Sequence, residues 1–188
     1  MWTLTHQAQG SNVVAFHFGS QSEGTTTPGL QSDTDLLTSM NDFNIMLHWS
    51  DWKWGMINLL MVKDESTPAQ HYLLQRMRSD EPLPETHVKN STAVIDTQGR
   101  VFFSNLSVII VCAQAFGDGH LRRGPSNSSH EDFDYVIAFP CNSLPSEILA
   151  WFDAIRPGYW PPPEVFEIAI QCPCFLVTYR MADNAKLD

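Results

Sequence analysis

Asp33 and Asp35 stand one residue apart in this chain, and twelve residues (21 to 32) separate them from Gly19-Ser20. Residues 33 to 37 read as extended. On a strand, alternate side chains share a face, so the two carboxylates sit together, roughly 6–7 Å apart along it. From there both can reach a pair of divalent cations about 3.5–4 Å apart. Without cations the arrangement is unfavourable: like charges about 4 Å apart repel by about 1 kcal/mol in water and about 4 kcal/mol at an effective dielectric of 20. Asp134 is the third candidate, a single carboxylate in the apolar run 133–139. Burying such a charge is costly unless it is paired or bound to metal. Beside the Asp33/Asp35 strand, about 4.8 Å away, it would complete a three-acid cluster suited to two Mg²⁺ or Mn²⁺ ions sharing substrate phosphates.

The elements around these residues set the expectation for the fold. Residues 13–18 read as a buried strand ending at Gly19, and residues 35–38, 44–49 and 56–63 as further strands. Ser50 to Gly55 looks like a hairpin connection. Thr67 as N-cap and Pro68 at the first helical position predict a helix over residues 69–77. Residues 93–95 and 101–103 flank a turn at 96–99 and suggest a hairpin. Asn105 is expected to cap a helix ending at Gly117, although residues 108–111 would suit a strand by propensity. Residues 117–130 read as a loop, 133–139 as a strand, and Pro161-Pro162-Pro163-Glu164 opens a helix through Ile170. Strands and helices mix without regular alternation, which favours an α+β or mixed α/β class.

Composition narrows the rest. The chain has 188 residues, 43% of them hydrophobic, which suffices for one domain with a real core. Its formal charge of −10 repels phosphate backbones, so a nucleic-acid activator is not supported. No apolar run approaches the roughly 18–20 residues of a membrane span, and the N-terminus lacks the order of a signal peptide. Four cysteines (112, 141, 172, 174) match neither a disulfide framework nor a zinc spacing. Cys172-Pro173-Cys174 is expected to be buried packing, and a reducing cytoplasm is the expected setting. Glu23 is read as a turn stabiliser, Arg122 and Arg123 as a solvated loop, and Trp49, Trp52 and Trp54 as hairpin packing.

Five segments in order carry a resemblance: Gly-Ser-Gln-Ser-Glu-Gly (19–24), Ser-Asp-Thr-Asp (32–35), Arg-Gly-Pro-Ser (123–126), Asp-Tyr-Val-Ile-Ala-Phe-Pro-Cys (134–141) and Trp-Pro-Pro-Pro-Glu (160–164). They resemble the male-abnormal-twenty-one (Mab) family, which includes cyclic GMP-AMP synthase and the cGAS-like receptors. The resemblance implies a polymerase-beta-like nucleotidyltransferase core that joins ATP and GTP into a cyclic dinucleotide signal. It places the metal-binding acids at Asp33, Asp35 and Asp134 and the triphosphate turn at Gly19 and Ser20. Against that pattern the chain lacks the long helix before the Gly-Ser turn, the helical second lobe and the Pro-x-Gly-His tail. The expectation is therefore a truncated core: a poorly defined segment over 1–12, the nucleotidyltransferase core over 13–177 and a divergent tail over 178–188. The alternative is a catalytically silent fragment that binds a nucleotide or a protein.

Overall fold

In the computed structural model the described residues are 12–19, 22, 24, 34–88, 93–106, 108, 121–123, 125–130, 133–154, 162–172 and 174–178. They form a mixed α+β structure dominated by one eleven-stranded sheet. The centre is a line of two short strands, β2 (Thr34–Met40) and β3 (Phe43–Met46), both running parallel to β10 (Phe133–Cys141). Asn41 and Asp42 break this line. Ser39 faces Ala138 and Ile45 faces Cys141, so six positions along β2–β3 span three along β10. The break leaves room for two neighbours on the far edge. β1 (Val13–Phe18) pairs antiparallel with β2, and β4 (Ile57–Val62) pairs parallel with β3.

Beyond β4 the sheet continues through β5 (Leu73–Arg76) to the hairpin β6 (Ala93–Ile95) and β7 (Val101–Phe103). On its other side β10 carries the hairpin β8 (Leu121–Arg123) and β9 (Ser126–His130), and then β11 (Cys174–Val177). Two helices, α1 (Ser146–Asp153) and α2 (Pro163–Gln171), lie between β10 and β11 in sequence. They meet through Phe152 and Phe166, whose rings are 5.9 Å apart.

Apolar alternation decides which face is which. Leu36, Ile45, Leu59, Met61, Tyr135, Ile137, Phe139 and Cys141 form the larger core on one face. Met46, Leu60 and Met77 form a smaller one on the other. β4 feeds both, which is why its run Asn58-Leu59-Leu60-Met61 is buried without alternation, as a strand covered on two faces should be.

The smaller core is organised by a polar pair. Asn44 and Asn58 are register partners on β3 and β4 and both are buried. Asn44 Nδ2 donates to Asn58 Oδ1 at 2.7 Å and to the Asp51 carbonyl at 2.8 Å. Asn58 accepts from the Lys53 amide at 3.0 Å and donates to the Lys53 and Met56 carbonyls. A single side chain thus ties down the loop that reverses the chain between two parallel strands. Replacing it with alanine would leave buried amide and carbonyl groups unsatisfied, each costing about 1–3 kcal/mol. Asn58→Ala is expected to destabilise the fold by roughly 3 kcal/mol, read as a lower urea midpoint with an unchanged m-value.

Several sequence expectations need correction. Residues 69–77 are not a helix. Thr67 Oγ1 donates back to Asp64 Oδ1 at 2.7 Å, closing a turn, and Gln70 has φ +61°, so helical hydrogen bonding cannot start there. Residues 73–76 pair with β4 instead. Ser50 to Gly55 is not a hairpin, because β3 and β4 run parallel. β3 itself stops at Met46: the Asp51 carboxylate accepts the Leu47 and His48 amides and holds a short 3-10 turn over Trp49–Asp51. Of the three tryptophans there, only Trp52 is tied in, donating to the Arg78 carbonyl at 2.8 Å, whereas Trp49 and Trp54 are exposed. Residues 117–130 are not simply a loop, since they include β8 and β9. Cys172 is exposed, and only Cys174 packs on the core. The helix expected from Asn105 begins with one turn, Val108 N–H to the Asn105 carbonyl, and its remainder lies outside the described residues. The 93–103 hairpin, the 133–139 strand and the Pro-led helix are present as expected. The strand ending at Gly19 is present too, but it is not buried: β1 ends the strand order of the described sheet, and Phe16, His17 and Phe18 are exposed.

α1 is anchored to the sheet by Glu147, which meets Lys63 Nζ at 2.7 Å and accepts the Tyr72 hydroxyl. Lys63 and then Tyr72 pull the Glu147 carboxyl down to about 2. Burial, with Glu147 second, pushes the Tyr72 hydroxyl above its usual value. A carboxyl with a lowered folded pKa stabilises fully above its unfolded value, and that support disappears as pH falls through the folded one. The Tm difference between the protein and Glu147→Gln is therefore expected to hold at neutral pH. It should shrink as pH falls from about 4.5 to about 2. A difference independent of pH would contradict the anchoring by charge.

Candidate active site

β1 ends where it does because Gly19 adopts φ +91°, a backbone conformation that side-chain-bearing residues rarely take. The chain then folds over itself: the Ser22 amide donates to the Gly19 carbonyl at 3.0 Å, and Ser22 Oγ donates to the Phe18 carbonyl at 3.0 Å. Ser22, which sequence reasoning passed over, thus closes the Gly-Ser turn. Ser20 lies outside the described residues.

Strand register brings two of the three acids together. Asp35 on β2 and Asp134 on β10 are direct partners in the parallel pair. Phe18 on β1 is the antiparallel partner of Asp35, and Ser128 on β9 is the partner of Asp134. Phe18, Asp35, Asp134 and Ser128 therefore form one row across four strands. Leu36 and Tyr135, the next residues along, turn into the larger core. The acids consequently occupy the opposite face. Asp33 precedes Thr34, where β2 begins, and lies outside the described residues.

A cavity of about 210 Å³ opens on this face, lined by Phe18, Asp35, Leu36, Leu37, Ser126, Asp134 and Val136. Both carboxylates are half-buried in its wall. Their strands are about 4.8 Å apart. Two full negative charges at about that spacing repel by roughly 3 kcal/mol at an effective dielectric of 20. One Asp134 oxygen, Oδ1, accepts the Ser128 hydroxyl, which fixes the carboxylate's rotation. Beside the acids the face is apolar. Phe18 is 46% exposed, and the Phe16 ring packs at a tilt against Phe175 of β11, centroids 5.3 Å apart.

The chemistry this arrangement offers is hard oxygen donors at the edge of an apolar hollow, a donor set suited to Mg²⁺ or Mn²⁺. Among the described residues no group of three or more His, Cys, Asp or Glu side chains converges; the acid pair stands with Asp33 outside that set. Also among them, no helix is long and apolar enough to cross a membrane.

Sequence reasoning missed Ser126, Ser128 and Phe18. The two serines alternate with period two just before the Asp134 strand, a pattern obscured because the segment is rich in loop-forming residues. No protein-family model matches the chain, and no curated protein does.

Proposed function

We propose that this protein is a metal-dependent nucleotidyltransferase, similar to the cGAS-like receptors, that joins ATP and GTP into a cyclic dinucleotide on a polymerase-beta-like core. The observation that carries the reading is the register match of Asp35 with Asp134 at the wall of a cavity. The two carboxylates are direct neighbours across parallel strands, and divalent cations bound between them would offset their like charge.

Asp33, Asp35 and Asp134 would hold the cations. Bound there, magnesium supplies charge neutralisation for the leaving phosphates and lowers the pKa of the attacking hydroxyl. The chain's own groups do the rest. The Gly19 turn presents backbone close to the phosphates, because no Cβ stands in the way. Ser128 holds Asp134 in one rotation. Asp134 is the group placed to accept the proton of the attacking nucleotide hydroxyl.

Incubation with labelled ATP and GTP and Mg²⁺ or Mn²⁺ tests the reading. Dinucleotide formation that is lost in Asp33→Asn supports it. Metal-dependent nucleotide binding without any product would favour a silent binding module, and neither binding nor product would reject a nucleotide site altogether.

A further inference from the structure

We propose that Ser126 is a substrate-binding residue of this site, donating its hydroxyl to an oxygen of the nucleotide's sugar-phosphate. The inference rests on the nucleotidyl-transfer reading and adds to it a residue from β9, an element outside the acid strands.

Ser126 lies two positions before Ser128 on β9. Ser128 pairs with Asp134, so both serines stand on the acid face. Ser126 lines the same cavity as Asp35 and Asp134. Its Oγ is buried and makes no hydrogen bond among the described residues. A hydroxyl in that state costs about 1–3 kcal/mol, and alanine or valine would fill a strand position without that cost. Among the described residues, the other side chains on this face of the cavity are the two carboxylates and the apolar Phe18, Leu37 and Val136. Carboxylates repel phosphate oxygens unless a cation intervenes, and the apolar groups offer them nothing. The Ser126 hydroxyl is a neutral donor in this wall for such an oxygen. A bound nucleotide would satisfy it, so the interaction is gained on binding.

The test measures binding of fluorescent ATP with Mn²⁺, and of Mn²⁺ alone by electron paramagnetic resonance. It uses the protein, Ser126→Ala, Ser126→Thr and Asp35→Asn. Ser126→Ala is expected to weaken Mn²⁺-ATP binding on the order of tenfold with Mn²⁺ affinity unchanged. Ser126→Thr, which keeps the hydroxyl, should stay within about twofold, and Asp35→Asn should lose Mn²⁺ itself. If the alanine variant folds poorly by near-ultraviolet circular dichroism, Ser126→Cys, of similar volume but a weak donor, takes its place. Wild-type nucleotide affinity in Ser126→Ala, with Asp35→Asn still defective, overturns the role of Ser126 alone. Absence of Mn²⁺-ATP binding by the unmodified protein overturns the nucleotidyl-transfer reading and this inference together.

Discussion

Asp134→Asn is expected to lower dinucleotide formation by roughly a thousandfold while leaving the metal-free protein as stable as before, or more so. The loss follows, on the proposed reading, from removing a charged oxygen donor from the proposed cation site, which would be worth several kcal/mol to the transition state, at about 1.36 kcal/mol per tenfold. The gain follows from the row across the sheet. Asparagine has nearly the shape of aspartate, its carbonyl can still accept the Ser128 hydroxyl, and the like-charge contact with Asp35 disappears. Activity assays and metal-free thermal melts on the same preparation check both signs at once. A variant that loses activity and also melts lower would mean that Asp134 serves the fold and not a cation.

Phe139→Ala is expected to be the most damaging change to stability. Phe139 is 2% exposed, lies five residues after Asp134 on β10, and contacts Phe43 at 4.7 Å and Phe103 at 5.6 Å. Those rings belong to β3 and β7, so one side chain joins three strands. Truncation of a buried phenylalanine costs about 3–5 kcal/mol, and for a chain of this size each kcal/mol lowers Tm by about 2–4 °C. A fall of roughly 10 °C follows. Phe139→Leu should recover more than half of it. If the alanine variant melts within about 3 °C of the parent, the three-ring contact does not hold the core together.

What the sequence disclosed was governed by how local the deciding interaction is. Gly19 ends β1 through its own backbone, Asp96 to Gly99 is a turn by composition, and proline opens α2, so all three were legible. Leu73 to Arg76 was not. Its helix-start chemistry is real in type, but Thr67 commits its hydroxyl to Asp64 and the segment is recruited as a strand between β4 and β7. The parallel sense of β3 and β4 was equally hidden, because it depends on Asn58 reaching back to Lys53. Pairing of Asp35 with Asp134 was framed from the sequence as a condition, since register between strands so far apart in the chain leaves no local trace. The place of Ser126 on the acid face is hidden for the same reason: Ser, Asn and His in series look like a loop until β10 gives them a partner.

The parallel β2–β10 pairing has a kinetic consequence. It joins segments roughly a hundred residues apart, and no hairpin can nucleate it. Such long-range closure comes late, after its entropy has been met by other contacts. A ribosome-bound chain would therefore carry each acid on its own, unable to gather divalent ions, until β10 had cleared the exit tunnel. The proposed capacity to bind metal should thus arise as a late event of refolding, and manganese relaxation followed in a stopped-flow mixer would time it.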